Sequence, residues 1–135
     1  MKIKFKIRKN KEIELDAQLR LYKVFDYMQQ EKSGIAIALY SKRESTGEYD
    51  ELFVVATKSF GEFIGLPNVA YMDLNNCPYA EEFIKLGFAE DTGLNKQSGM
   101  CLYPLWQFKE DFLKSLGEEN YKTYIEQYEN DDADI

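Results

Sequence analysis

The residue types with the chemistry to act as a site are few. They are two cysteines, Cys77 and Cys101, the oxygen donors Asp73, Asn75, Glu81 and Glu82, and the amine of Lys85. The chain has no histidine, which removes every Ser–His, Cys–His and His–metal arrangement and the commonest general base at neutral pH. Cys77 precedes Pro78, and a helix N-terminus there would lower its pKa and make the thiolate nucleophilic. No partner base can be named for it, so it reads as a small capping or packing residue. Asp73, Asn75, Glu81 and Glu82 offer oxygens to a hard cation, but their spacing lacks the central glycine and spaced carboxylates of a calcium loop. A divalent-ion nuclease needs two acids and a nearby lysine. Only Asp73, Glu82 and Lys85 qualify, and carboxylates in a first helical turn ordinarily pair with the helix dipole. Gly61, Gly65 and Gly93 are isolated and fit turns rather than a phosphate loop. The expectation is a protein that is not an enzyme, with no catalytic residues, no metal and no cofactor.

Charge is the stronger signal. The 135 residues carry a net charge of −7, unevenly spread. Residues 1–11 hold Lys2, Lys4, Lys6, Arg8, Lys9 and Lys11 and no acid. The segment from Lys109 onward holds nine acids (Glu110, Asp111, Glu118, Glu119, Glu126, Glu129, Asp131, Asp132 and Asp134) against three lysines. An acidic surface of this kind repels nucleic acid and suits a basic partner. Ten tyrosines add rings with polar tips, which suit a core margin or an interface.

The elements that position these residues follow from periodicity. Ile3, Phe5 and Ile7 alternate with cations, and Ile13, Leu15 and Ala17 alternate with Glu12, Glu14 and Asp16. With Lys9-Asn10-Lys11 as the turn, residues 1–16 form a hairpin whose basic row faces its acidic row and neutralises it. Residues Leu19 to Lys32 fit either a continued strand with a bulge or a short helix, and Lys32-Ser33-Gly34 reads as a turn. Strands are expected at Gly34–Tyr40, Leu52–Thr57 and Val69–Leu74, joined by the polar loop Arg43–Glu51 and the glycine-broken stretch Phe60–Asn68. Pro78 marks a first helical turn, with Asn76 or Cys77 as N-cap and Asn the better capping type. Tyr79, Ala80, Phe83 and Ile84 give the core stripe, and Gly87 is the C′ residue with Phe88 packing back. Ala89–Gly99 is expected as a loop and Met100–Phe108 as an edge strand, because Pro104 cannot donate to a ladder. Residues 109–129 carry two helices broken at Gly117. The second presents Tyr121, Tyr124, Ile125 and Tyr128 on one face and is supported by Glu118–Lys122 and Lys122–Glu126 pairs. Residues 130–135 (NDDADI) are expected to fray. The fold class is α+β in a single domain over 1–135: an antiparallel sheet of about five to six strands with a mid-chain helix and C-terminal helices packed on it.

Residues Asp73 to Pro104 carry a further pattern: Asp73, Asn75, Asn76, Pro78, Tyr79, Ala80, Glu81, Glu82, Phe83, Ile84, then Thr92, Gly93, Ser98, Gly99, Cys101, Tyr103 and Pro104. It resembles a domain-of-unknown-function family of small bacterial proteins, the one numbered 4313. The resemblance covers residues 34–108 and is specific in the stretch quoted. The segment around Leu19 to Lys32 and the last helix depart from the core pattern. The resemblance implies cargo of conjugative and other mobile elements. It brings no assigned activity and no catalytic residues.

Mobile elements commonly carry small acidic inhibitors of host defences, so the resemblance and the charge together imply a function. The expectation is a non-enzymatic anti-defence protein, of anti-CRISPR or antirestriction type, that mimics nucleic-acid charge. Its partner would be the basic surface of a host nuclease or CRISPR effector, with no direct nucleic-acid contact and no membrane. Glu118, Glu119, Tyr121, Glu126, Tyr128 and Glu129 are the expected partner contacts. The competing expectation is an accessory protein of element transfer that binds another element-encoded protein. The N-terminal MKIKFKIRKN has no continuous apolar stretch and no window reaches membrane-spanning length. A cytoplasmic setting is therefore expected, with both thiols reduced, which disfavours a Cys77–Cys101 disulfide.

Overall fold

The computed structural model describes residues 1–133, with side chains described as far as Glu129. The expected hairpin forms from β1 (Lys2–Arg8) and β2 (Lys11–Phe25). Lys2 stands opposite Asp16, Lys4 opposite Glu14 and Lys6 opposite Glu12, while Ile3, Phe5, Leu15 and Ala17 are buried on the other face. Alternation set both the pairing and the face. The ambiguous segment resolves as strand: β2 runs on to Phe25 with no helix. The turn expected at Lys32-Ser33-Gly34 lies earlier, because the Asp26 carboxylate accepts the N–H groups of Met28 and Gln30 (2.9 Å each) and fixes the turn there. β3 then spans Glu31–Ser41. Gly34 is a strand residue inside it. It sits opposite Tyr22, whose ring lies so close that a Cβ at Gly34 would meet it at 2.6 Å.

The class is α+β as expected, and its strands divide into two four-stranded antiparallel sheets. The first has the order β1-β2-β3-β4, with β4 at Glu51–Val55. The second has the order β5-β6-β8-β7, formed by β5 (Thr57–Lys58), β6 (Val69–Met72), β7 (Ala89–Ser98) and β8 (Cys101–Phe108). The apolar run Leu52–Thr57 therefore belongs to both sheets, and Ala56 is the corner between them. Its N–H donates to Ile37 O of β3, and its carbonyl accepts the Asp73 N–H at the end of β6 (2.9 Å each). Strands that change sheets at such a corner are how two sheets share one core.

Residues 89–99, expected as a loop, are mostly strand. Their exposure on both faces hides the period-two signal, and a bulge between Asp91 and Asn95 breaks the alternation further. That added strand makes β8 internal rather than an edge. Pro104 is tolerated because β6 pairs only with Leu105–Gln107, so at Pro104 the ladder has β7 on one side and no β6 partner on the other.

Between the sheets run a 3-10 turn (Pro78–Glu81) and α1 (Glu82–Lys85), followed after β8 by α2 (Glu110–Leu116) and α3 (Glu118–Ala133). Phe83 of α1 touches Phe5 of β1, Phe108 of β8 and Phe112 of α2, with ring centroids 5.6, 6.1 and 5.6 Å away. Each such pair is worth about 0.5–1.5 kcal/mol beyond area burial. After α1, Gly87 adopts φ +79°. Its N–H reaches Ile84 O and the Phe88 N–H reaches Phe83 O (3.0 and 2.8 Å), which satisfies the helix's last carbonyls as expected of a C′ glycine. Ile84, expected in the core stripe, is instead exposed, because the short helix turns only Ala80 and Phe83 fully inward.

α3 docks on the part of the first sheet where β2 and β3 outrun their neighbours. β1 pairs with β2 only to Asp16, and β4 pairs with β3 only from Ala38. α3 reaches both of the opposite edges left open: Asn120 Nδ2 donates to Leu19 O (2.9 Å), and Gln127 bonds both the N–H and the carbonyl of Ser33 (3.0 and 2.7 Å). Seven residues apart, the two amides sit about 10.5 Å apart along one helix face. Gly117 lets the helix start against β2, since a Cβ there would meet Leu19 at 3.3 Å. The helix backbone continues through Ala133, so of the expected frayed tail only residues 134–135, with the side chains from Asn130 on, lie outside the described residues. No helix among the described residues is long and apolar enough to cross a membrane.

Gln127→Ala is expected to destabilise the fold by ~1–2 kcal/mol, because the Ser33 peptide groups lose both partners in a half-buried setting. Urea unfolding measures this, and the Ser33 amide should lose hydrogen-exchange protection before its neighbours.

Candidate interaction surface

The junction from Asp73 to Cys77 is built as a turn. Asp73, buried at the end of β6, accepts the Asn76 N–H on Oδ1 (3.3 Å) and the Asn76 side-chain amide on Oδ2 (2.8 Å). Its carbonyl accepts the Cys77 N–H (2.8 Å). With its side chain committed to Asp73, Asn76 is not the N-cap. The residue at that position is Cys77, which makes no side-chain capping bond. Cys77 is fully buried, and burial pushes its thiol up to about 11, which keeps it a packing group at neutral pH. Both cysteines are free thiols. Glu81, Glu82 and Lys85 line a shallow surface depression with Lys6, and Asp73 is not part of it. Among the described residues, no three His, Cys, Asp or Glu side chains are grouped as metal ligands would be.

The expected contact residues of α3 fall into two sets. At about 100° per residue, Glu118, Glu119, Glu126 and Glu129 occupy an arc of about 100° on the outer side, while Tyr121, Tyr124 and Tyr128 occupy about 60° on the inner side. All four glutamates are exposed. The expected Glu118–Lys122 and Lys122–Glu126 pairs do not close to within 4 Å, and the four carboxylates have no ion-pair partner among the described residues. Long side chains on an exposed face gain too little from such pairs to hold one geometry.

The tyrosines instead hold the fold. Tyr121 and Tyr124 are each 1 % exposed. The Tyr121 O–H donates to Asn68 Oδ1 (2.8 Å), and the Asn68 N–H donates to the Tyr124 oxygen (2.9 Å). The Tyr124 O–H donates to Tyr128, whose own O–H donates to Ile64 O (3.2 and 2.7 Å). Asn68 has φ +67°, a conformation Asn tolerates, and its carbonyl accepts the Phe108 N–H (2.7 Å). Tyr121 and Tyr128, expected to meet a partner, have their hydroxyls bound to the β5–β6 connection, and Tyr121 is buried while Tyr128 is half-buried. Sequence reasoning missed this clamp. Its one sign was that the tyrosines share their stripe with Ile125, which marks that stripe as the inner one.

A family model described as a domain of unknown function (DUF4313) matches residues 21–128, and the chain belongs to that family. The matched span takes in most of the Leu19–Lys32 segment and the last helix as far as Tyr128, both of which the pattern visible in the sequence had left outside. No match was found among curated proteins or among solved structures.

Burial, with the Glu110 carboxylate adding to it, pushes the Tyr121 phenol up to about 12, and burial also raises Tyr124. A phenol whose folded pKa lies above its unfolded value of about 10 stabilises fully below that value and loses its contribution as pH rises through the folded one. Stability is expected to fall between about pH 10 and 12, and Tyr121→Phe should flatten that fall in unfolding curves taken across the range.

Proposed function

We propose that the protein is a non-enzymatic inhibitor, carried by a mobile element, of a nucleic-acid-targeting defence complex. The outer face of α3 takes the place of a nucleic-acid strand in that complex's basic groove. The observation that carries this reading is the unneutralised glutamate face on a helix whose orientation is locked. Four charges over about 16 Å of helix axis give about one per 4 Å, near the 3.4 Å per charge of a single strand and well below duplex density. Lys122, in the middle of the face, is the one cation to interrupt it. Of the six cations of the N-terminal hairpin, Lys2, Lys4 and Lys6 stand opposite acids on the same sheet, and Arg8, Lys9 and Lys11 lie at its tip, far along β2 from this face. Complementary charge of this kind speeds encounter and fixes register, and it weakens with salt.

Cleavage by a panel of CRISPR effectors and restriction enzymes, with and without the protein, tests the reading. Inhibition of at least one enzyme is expected, falling as salt rises. In the variant Glu118→Lys/Glu126→Lys it should weaken at least ~10-fold while the protein stays folded, its stability lowered by no more than about 1 kcal/mol because Glu118 lies in the first turn of α3. No inhibition across the panel, or inhibition indifferent to salt and to both reversals, would sink the proposal. Recovery of a transfer protein and no defence component from cells carrying the element would replace it with an accessory role in transfer.

A further inference from the structure

The charge matching of the β1–β2 hairpin stops at its tip. Lys2, Lys4 and Lys6 each face an acid, but Arg8 stands directly opposite Lys11, after a register shift between Lys6 and Arg8. Like charges directly opposite on a sheet destabilise it. Lys9 and Asn10 close the turn, with Asn10 at φ +68°. Arg8, Lys9 and Lys11 are all exposed and have no ion-pair partner among the described residues. Together with Lys6, Asn10 and Glu12 they line an open cleft of about 640 Å³. Lys6 is already matched by Glu12, which leaves three free cations at the tip of a chain of net charge −7. The tip lies eight residues along β2 from Leu19, where α3 begins to dock. That is about 27 Å, so the basic and acidic ends of the molecule are far apart.

We propose that this hairpin tip is a binding site for the phosphodiester backbone of a nucleic acid, held by Arg8, Lys9 and Lys11. The tip favours phosphate over an acidic protein surface for a physical reason. Protein interfaces are anchored by buried aromatic or aliphatic side chains, and the tip residues from Arg8 to Glu12 include none. It has no aromatic ring to stack on a base either, so the contact is to backbone and independent of sequence. For this one patch the expectation of no direct nucleic-acid contact is reversed. The net acidity of the rest of the chain weakens binding elsewhere and orients the approach toward the tip. This site is independent of the inhibitor reading, since it needs neither α3 nor a defence complex.

The test is fluorescence anisotropy of the full chain with labelled single-stranded and duplex DNA of mixed sequence, across a salt series. Wild type is expected to bind both at low salt, with a log–log salt slope of about −2 to −3 for three displaced counterions. Arg8→Gln/Lys9→Gln/Lys11→Gln should weaken binding at least ~10-fold and bring the slope close to zero. Its thermal midpoint should stay equal or rise, because the Arg8–Lys11 repulsion is gone. Lys23→Gln, which removes a cation paired with Glu31 elsewhere on β2, should bind as wild type does. Three results would each overturn the proposal: no salt-dependent binding to either DNA, equal loss with Lys23→Gln, or displacement of DNA by polyglutamate at matched charge concentration.

Discussion

From one face of α3 the amides of Asn120 and Gln127 reach the open edges of β2 and β3, and the phenols of Tyr121, Tyr124 and Tyr128 reach Ile64 and Asn68 in the segment that leads into the second sheet. Peptide groups on an open edge left without water or a partner are costly. Where β2 and β3 outrun β1 and β4, α3 takes up the Leu19 carbonyl and both peptide groups of Ser33, while Gly61 and Phe63 take up those of Phe25. The same contacts fix the rotation of the helix about its own axis. The glutamates cannot turn inward without breaking five side-chain attachments, so the exposed charge pattern is a consequence of how the sheet edge is closed.

The other joint is Ala56. A residue larger than alanine would have to fit a fully buried corner whose N–H and carbonyl are each committed to a different sheet. Phe83 packs in the shared core, in contact with a strand of each sheet and with α2. The signature stretch from Asp73 to Pro104 thus owes its residue types mainly to structure: an aspartate that ties a turn, a buried thiol, a core phenylalanine, and a proline placed where a ladder has lost a partner. Charge is then left to the periphery, and it separates into a basic hairpin tip and an acidic helix face at opposite ends of β2.

Much of this was legible in the sequence, and the failures have physical causes. Opposite charges in register announced the β1–β2 pairing, Gly87 announced the end of α1, and Gly117 announced the break between α2 and α3. Ala56 was hidden because an unbroken apolar run reads the same whether its strand stays in one sheet or changes sheets. β7 was hidden because a bulged edge strand exposed on both faces has no hydrophobic period to detect. The turn at Asp26 was displaced by Gly34, whose role is to admit the Tyr22 ring rather than to bend the chain. At the candidate surface, the glutamates expected to meet a partner are exposed. The internal bonds of Tyr121 and Tyr128 were not legible, since a tyrosine stripe has the same spacing whether its hydroxyls serve a partner or the protein's own loop.

The central claim is that α3 is docked with its tyrosines inward and its glutamates outward, and residue-resolved amide hydrogen exchange of the free protein tests it most directly. The account predicts that the amides from Tyr121 to Tyr128 are protected to nearly the same free energy as the centres of β2 and β3, because the helix and the sheet edge open only together. Exchange of that segment at the rate of a frayed helix, while β2 and β3 remain protected, would contradict it.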